Sequence, residues 1–504
     1  MKPFGEGIRR ICGVAAAATA KELRALLQQG LRFTPTIELR LDWLRNDQER
    51  QKFLTWLKKS RPKRAVLVAT CRRRVAGGEF AGDAGAELYW LVKARQAGCQ
   101  WCDLEVETLR ELPGRSMKGY AIPSKVMLSM HDFRRTPRLS KGLKVPVHGG
   151  IDAIKVAAMS QSIGDGVRLL RTLGHSQRVV AVPMGEIGLG ARLLALREGS
   201  ALAYAPVAAA TAPGQVSLRE FKEMYRVHKI TRQTRVFGVI GNPIGHSMSP
   251  LLHNTGYVAA KKDAVYLPFL AERLDDFLKA VPDLGVEGFS VTIPHKEAIF
   301  RRLDDCEDLA ERIGAVNTVT VRKDGSLYGS NTDYLGVLHA LEKELQLARS
   351  RVLIFGAGGS ARAAAFALAQ AGAGVFVCAR REAAARGLAR AVGGEVVRRG
   401  MLGKERFDAV LNTTPLGMFP QIATSPLKAH ELHCHVLMDF VYRPLQTKLL
   451  RIAAAKGIRT VSGIEMFLAQ GIAQWESWMG SRAPESAMRR AVLQAVRAEK
   501  QKRW

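Results

Sequence analysis

Lys155 stands in Ile151-Asp152-Ala153-Ile154-Lys155-Val156-Ala157, an apolar run in which an ammonium costs free energy unless it is neutralised or paired. Burial favours the neutral amine, and Arg72 and Arg192 disfavour its protonation further. A neutral amine is the nucleophile that imine chemistry with a ketone requires. In isolation the residue reads better as a lysine that snorkels to water. His131, in Ser129-Met130-His131-Asp132-Phe133, adds an imidazole able to move protons near neutral pH. Further on, Ser290-Val291-Thr292-Ile293-Pro294-His295-Lys296 and Asn331-Thr332-Asp333 bring a second lysine and a carboxylate. Such a pair can relay a hydroxyl proton during hydride transfer, or be no more than a surface ion pair. Between the two sets, Gly241-Asn242-Pro243-Ile244-Gly245-His246-Ser247-Met248-Ser249-Pro250 combines turn formers with hydroxyls suited to a polyol carboxylate.

The elements that must carry these residues show in the apolar pattern. Short apolar runs at 11–15, 35–41, 65–71, 101–106, 125–130, 151–159, 178–184 and 201–207 recur at the spacing of strand–helix units, which predicts a (β/α)8 barrel. Polar residues break the runs near their C-terminal ends, where such barrels build active sites. They are Glu38 and Arg40 on the second strand, Arg72 after the third, His131 after the fifth, Lys155 within the sixth and Arg192 after the seventh. The run that follows Arg9-Arg10 imitates a short secretory leader, but it supplies the first strand of the barrel and is read as that. The segment 217–235 reads as a basic helix without a strand, so the domain boundary is placed at 228/229.

Beyond it the pattern is again alternating α/β. Gly356-Ala357-Gly358-Gly359-Ser360 lies between an apolar strand and an Ala-rich helix, where backbone N–H groups and the helix dipole can meet a pyrophosphate. The next strand, 374–378, ends in Ala379-Arg380-Arg381. No acidic residue there would hold a ribose 2′-hydroxyl, and two guanidiniums could grip a 2′-phosphate, which argues for NADP over NAD. The reading is a nucleotide-binding Rossmann lobe at 341–461, inserted in a substrate lobe formed by 235–340 and about 462–504.

Composition bounds the function classes. A chain of 504 residues with 47% hydrophobic and 24% charged residues has material for two large cores. Lys and Arg exceed Asp and Glu by 76 to 46, yet the charge is scattered and no aromatic-interleaved basic repeat occurs. Anionic small substrates fit better than nucleic acid or a membrane, and no run of 18 apolar residues is present. Seven irregularly spaced cysteines read as reduced and cytoplasmic. A metal at His433-Cys434-His435 is not expected, because adjacent side chains of a strand point to opposite faces.

Residues 1–228 resemble the type I 3-dehydroquinate dehydratase family. Lys155 matches the lysine of its D-x-x-K-(I/V)-A strand, and His131 the histidine of S-x-H-D-F. Glu38, Arg40 and Asp42 match E-x-R-x-D, Arg72 the arginine after the third strand, and Arg192 the arginine following M-G-x-x-G. Thr211-Ala212-Pro213-Gly214-Gln215 matches the A-P-G-Q loop. The resemblance implies that Lys155 forms an imine with the substrate ketone and His131 shuttles protons. The other matched residues, Glu38, Arg40, Arg72, Arg192, Thr211 and Gln215, are then substrate contacts. Two positions depart from the pattern: Ala191 stands before Arg192 where the family often carries a serine, and Ala76 stands before Gly77-Gly78 where it usually carries a glutamate that orients the histidine. That task falls to Glu79 or to an acidic residue of Asp103-Leu104-Glu105.

Residues 235–504 resemble shikimate dehydrogenase. The resemblance implies that Ser247 and Ser249 hold the substrate carboxylate, that Thr292, Asn317, Tyr442 and Gln470 hold ring hydroxyls, and that Lys296 with Asp333 is the catalytic dyad. Ser290 replaces the asparagine that usually opens N-V-T. For the cofactor it implies Gly356, Ala357, Gly358, Gly359 and Ser360 at the pyrophosphate, Ala379, Arg380 and Arg381 at the 2′-phosphate, and Phe440 and Gly463 nearby. Asn412 to Met418 and the segment from Gly463 to Met466 match the stretches the family places beside the nicotinamide and substrate.

The two resemblances join chemically, since the product of the first module, 3-dehydroshikimate, is the ketone the second would reduce to shikimate. The expected ligands are 3-dehydroquinate, 3-dehydroshikimate, shikimate and NADP. Two other readings keep the folds: quinate as the dehydrogenase substrate, or a barrel that has lost catalysis and serves as a basic scaffold.

Overall fold

The computed structural model describes residues 4–111, 125–137, 150–173, 178–208 and 216–501. Contacts divide the chain into two compact units, 1–236 with 243–247 and 263–286, and 237–242 with 248–262 and 287–504.

The first unit contains eight parallel strands: β1 (Ile11–Ala16), β2 (Thr36–Arg40), β3 (Val66–Thr70), β4 (Trp101–Glu105), β5 (Lys125–Asp132), β6 (Ala153–Met159), β7 (Val179–Met184) and β8 (Ala203–Pro206). They pair in the order β7-β6-β5-β4-β3-β2-β1-β8. The circle is nearly closed, with Ala201 N donating to Val179 O at 2.8 Å beside the seam. All eight apolar runs of the sequence become strands. The histidine assigned to the end of the fifth run lies inside β5, which extends to Asp132, and Val106 opens a helix rather than ending β4.

Strand alternation sorts the side chains. Val68, Trp101, Met127, Ala153, Val180 and Tyr204 pack together within the barrel, with the Phe4 ring stacked on Trp101 at 4.1 Å. Leu128, Ile154, Val156, Ala158 and Ala181 point outward and pack with the helices Ile163–Arg171 and Leu189–Leu194. Two residues on from the inner apolar layer, the same faces present Thr70, Asp103, Ser129 and Lys155, followed by Arg72, Glu105 and His131. The barrel is therefore apolar toward the N-terminal ends of its strands and polar toward the C-terminal ends. Covering helices begin at matched caps: Thr19 and Glu22 form a capping box on Ala20–Leu31, as do Ser162 and Asp165 on Ile163–Arg171.

The helix expected over 217–235 is shorter than its polarity suggested. It runs Leu218–Glu223, followed by a 3-10 turn at Val227–Lys229 that starts from Arg226 in the left-handed region.

Downstream, β9 (Arg235–Gly241), β10 (Ala264–Leu270), β11 (Val286–Val291), β12 (Asp305–Cys306), β13 (Thr318–Val321) and β14 (Leu327–Ser330) form a sheet of order β10-β9-β11-β13-β14-β12. Its β11–β13 and β13–β14 pairs are antiparallel. A third sheet, β15 (Arg351–Phe355), β16 (Gly374–Cys378), β17 (Glu395–Val396), β18 (Phe407–Asn412), β19 (Cys434–Asp439) and β20 (Arg459–Ser462), is wholly parallel. Its order, β17-β16-β15-β18-β19-β20, reverses between β15 and β18, and apolar layers cover both faces. Ligands of such sheets bind in the crevice beyond the strand ends at that reversal.

Candidate active sites

In the barrel, Lys155 is buried at 3% exposure, and its amine is not left among cations as the sequence had it. Nζ is hydrogen-bonded to Asp103 Oδ2, lies 3.5 Å from Glu38 Oε1 and sits 4.9 Å from the Tyr204 ring centre. Glu38 in turn accepts from Thr70 Oγ1 at 2.7 Å. Burial works against the Glu38 carboxylate, but Lys155, Arg40 and Arg72 together hold it down to about 2.

His131 Nδ1 lies 2.9 Å from Glu105 Oε2, while Glu105 Oε1 accepts from Arg72 Nε at 2.6 Å. Of the acidic residues available to orient the histidine, the fold brings in Glu105; the Glu79 side chain is exposed. Burial, helped by Arg72 and Lys155, pushes the imidazole well below its ordinary value, and burial raises the Glu105 carboxyl against the pull of Arg72. The neutral ring donates Nδ1–H to Glu105, which leaves Nε2 as an unprotonated acceptor.

Arg40 makes a two-pronged contact with Asp42, at 3.0 and 2.7 Å. Arg192, in the helix Leu189–Leu194 after β7, donates to Pro183 O at 3.1 Å. It is matched with no carboxylate among the described residues, and burial pulls its guanidinium down to about 10. A half-buried cation of this kind is a receptor for an incoming anion. Thr211 and Gln215 lie outside the described residues.

In the second unit, Lys296 opens the helix Lys296–Phe300 and Asp333 opens Asp333–Leu341. Lys296 Nζ is 2.5 Å from Asp333 Oδ2 and 3.2 Å from Ser360 Oγ. Asn317 Nδ2 donates to the other Asp333 oxygen at 2.8 Å, and its own carbonyl oxygen accepts from Thr332 N at 2.8 Å. The dyad and Asn317 are thus one connected set. Gln474 Oε1 accepts from Ser290 Oγ at 2.7 Å, and its amide reaches Asn317 O and Thr318 Oγ1. Sequence reasoning missed this residue. Its signal was weak, a glutamine one turn beyond Gln470, whose own amide is turned back to Phe467 O at 2.8 Å. Tyr442 stacks on Phe467 at 4.5 Å between centres, and Thr292 is half-buried just after β11. Ser249 is buried at the first position of Ser249–Ala259, and Ser247 belongs to the other compact unit.

The glycine-rich turn follows β15. Gly356 has φ +127°, and a Cβ there would meet Thr413 Oγ1 at 2.3 Å. Gly358 caps the helix Gly359–Gln370, no side chain caps its first N–H groups, and a Cβ on Gly358 would meet nothing within 4 Å. A Cβ on Gly463 would come within 2.4 Å of Phe440 O, so those two backbones lie in close approach. Half-buried Ala357 and Ser360 complete the turn, while Ala379 and the exposed Arg380 and Arg381 follow β16. An open helix start beside a glycine cradle fits a pyrophosphate.

Family models match this chain as type I 3-dehydroquinase over residues 11–232, as the shikimate dehydrogenase substrate binding domain over 239–319 and as the shikimate 5′-dehydrogenase C-terminal domain over 463–493. A bifunctional 3-dehydroquinate dehydratase/shikimate dehydrogenase of Arabidopsis thaliana, described as chloroplastic, is 33% identical over 478 residues, 89% of this chain and 78% of that protein. The NADP(+) shikimate dehydrogenase of Methanosarcina acetivorans is 40% identical over 52% of this chain and 99% of its own. A Thermus thermophilus shikimate 5-dehydrogenase, solved with NADP(H) and shikimate, is 35% identical over 52% of this chain and 99% of its own, with a TM-score of 0.48. The chain belongs to the family of bifunctional 3-dehydroquinate dehydratase/shikimate dehydrogenases.

Proposed function

We propose that this chain catalyses two successive steps of the shikimate pathway, dehydration of 3-dehydroquinate and NADPH-dependent reduction of the resulting 3-dehydroshikimate. The observation that carries the reading is the pairing, in one chain, of a buried Lys155 carrying an Asp103 partner in a barrel with a Lys296–Asp333 dyad beside a nucleotide turn. Residues 1–228 are assigned to the first activity and 229–504 to the second.

In the barrel, Lys155 condenses with the C3 ketone, the iminium acidifies the C2 proton, and His131 Nε2 removes it. The imidazolium then protonates the departing C1 hydroxyl, and hydrolysis of the product imine frees Lys155. Arg192 meets the substrate carboxylate, and Glu38, Arg40, Arg72, Thr211 and Gln215 hold the ring. The Glu105–His131 contact argues against an inactive scaffold, because it supplies the orienting carboxylate that position 76 lacks.

In the second module, bound NADPH supplies a hydride. Lys296, with Asp333 behind it, gives a proton to the carbonyl oxygen as it becomes a hydroxyl. Ser247 and Ser249 take the carboxylate, and Thr292, Asn317, Tyr442 and Gln470 take the ring hydroxyls. The turn from Gly356 to Ser360 seats the pyrophosphate, Arg380 and Arg381 after Ala379 take the 2′-phosphate, and Phe440 and Gly463 flank the nicotinamide. No described helix is long and apolar enough to cross a membrane. We place the protein in the cytoplasm, acting on small molecules, a reading supported by its seven free cysteines.

The test is borohydride reduction of the full chain with 3-dehydroquinate present. The expected result is a covalent adduct located on Lys155 by mass spectrometry, together with NADPH consumption when 3-dehydroquinate is the only carbon substrate supplied. Absence of an adduct would remove the imine, and absence of NADPH consumption would remove the coupled reading.

A further inference from the structure

Asp103 and Glu105 stand two residues apart on β4, so both side chains leave the same, inner face of the strand, and each is buried at 1% exposure. They serve different groups. Asp103 Oδ2 holds the Lys155 amine, and its other oxygen is buried with no hydrogen-bond partner. Glu105 spans His131 Nδ1 at 2.9 Å and Arg72 Nε at 2.6 Å. Arg72 reaches Asp103 only at 3.9 Å, so the two carboxylates share no close partner. Glu38, the other carboxylate near Lys155, accepts from Thr70 and is held down to about 2 despite its burial, which makes it a poor proton acceptor.

Resting on the imine reading above, we propose that the two carboxylates of β4 divide the dehydration between them. Asp103 relays the protons of imine formation, and Glu105 is the positioning residue that holds His131 by Nδ1 and thereby aims Nε2 at the C2 proton. The steps balance. The Lys155 ammonium gives one proton to Asp103 Oδ2, and the amine lone pair attacks the C3 carbonyl carbon. A proton then moves from the nitrogen to the former carbonyl oxygen. Asp103 returns its proton to that hydroxyl, which leaves as water while the nitrogen lone pair closes the C=N bond. Three N–H hydrogens enter; one stays on the iminium and two depart with the water. Asp103 ends as the carboxylate it began as, facing the iminium cation. Only then does His131 Nε2 take the C2 proton, with Nδ1–H held throughout by Glu105.

Full-length wild type, D103N, E105Q and E105D are compared by three readouts: the rate of borohydride trapping at Lys155, the kcat of dehydration, and the isotope effect on kcat with 3-dehydroquinate deuterated at C2. For D103N, trapping and dehydration should fall together by about 10²-fold, the scale of a positioned acid–base group. E105Q should trap within about threefold of wild type yet dehydrate about 10²-fold more slowly, with a larger isotope effect because proton removal now limits the rate. E105D should recover part of the lost kcat, and it carries the same comparison should E105Q not fold. Wild-type trapping by D103N overturns the role of Asp103. Equal loss of trapping and dehydration in E105Q, or unchanged dehydration, overturns that of Glu105. If the wild-type chain forms no adduct, the lysine reading fails, and kcat with the isotope effect still decides Glu105.

Discussion

Two lysine–carboxylate pairs sit in different surroundings, and those surroundings decide their chemistry. Lys155 is enclosed, with carboxylates at Nζ and an aromatic ring beside it, whereas Lys296 is partly open and shares its partner Asp333 with Asn317. The second arrangement suits a proton relay to an incoming substrate. Lys296→Ala or Asp333→Asn should therefore slow shikimate oxidation by about 10²-fold or more at saturating NADP; unchanged turnover in steady-state assays would exclude the dyad. A second residue-scale prediction concerns stability. Asp439 is fully buried at the end of β19, accepts from Asn412, Val441 N and Thr447, and is pushed up to about 6, chiefly by burial. Its unfolded value is about 3.9, so between about pH 4 and 6 the folded state binds more protons. The stability contributed by this carboxyl is then full below about pH 4 and lost as pH rises through about 6, by at most about 3 kcal/mol at 1.36 kcal/mol per unit. Asp439→Asn removes the titration. Relative to wild type, its Tm should be least favourable near pH 4 and improve toward pH 7, whereas a pH-independent difference would show that the carboxyl is not perturbed on folding.

Elements place these residues by simple periodicities. β4 delivers Asp103 and Glu105 to one face because side chains alternate, and β15 followed by the helix Gly359–Gln370 offers unpaired N–H groups because Gly358 brings no capping side chain. The end of β16 carries the cofactor prediction. Arg380 and Arg381 are exposed there with no acidic residue at the strand end, so a 2′-phosphate should find charge-assisted contacts. At roughly 1.5 to 3 kcal/mol per contact, kcat/KM for NADPH should exceed that for NADH at least tenfold or so, and Arg380→Ala should shrink the ratio. Ionic strength must be held constant, since exposed guanidiniums are screened. Equal efficiencies in the wild type would reject the assignment; a preference that survives the substitution would move the role to Arg381.

At the scale of the whole molecule, the Lys155–His131 pair and the Lys296–Asp333 pair belong to different compact units, each with its own apolar layers. Lys155→Ala should abolish dehydration and leave NADP-dependent shikimate oxidation within about twofold of wild type, because sites without shared partners act nearly independently. Measuring both activities on one preparation checks this, and joint loss would contradict the modular reading. The compact units do not follow the proposed 228/229 boundary in every detail: 263–286 groups with the barrel, where the Arg197 guanidinium donates to Leu284 O at 3.1 Å.

By itself the sequence determined what depends on neighbours in the chain. Eight apolar runs became eight strands, the glycine-rich turn fell between β15 and its helix, and local patterns singled out Lys155, His131, Lys296 and Asp333 as candidates. The long helix expected over 217–235 was not realised, because basic polarity alone does not specify helix length. Tertiary structure decided which partner each group meets. Glu79 lies close in sequence to the Gly77-Gly78 turn, yet Glu105 holds His131, because β4 pairs with β5 in a register that sets Glu105 beside Ser129. Asp103 meets Lys155 across 52 residues of chain, and Gln474 meets Ser290 across 184. These contacts follow from strand register and helix packing, which bring together residues that no local periodicity relates.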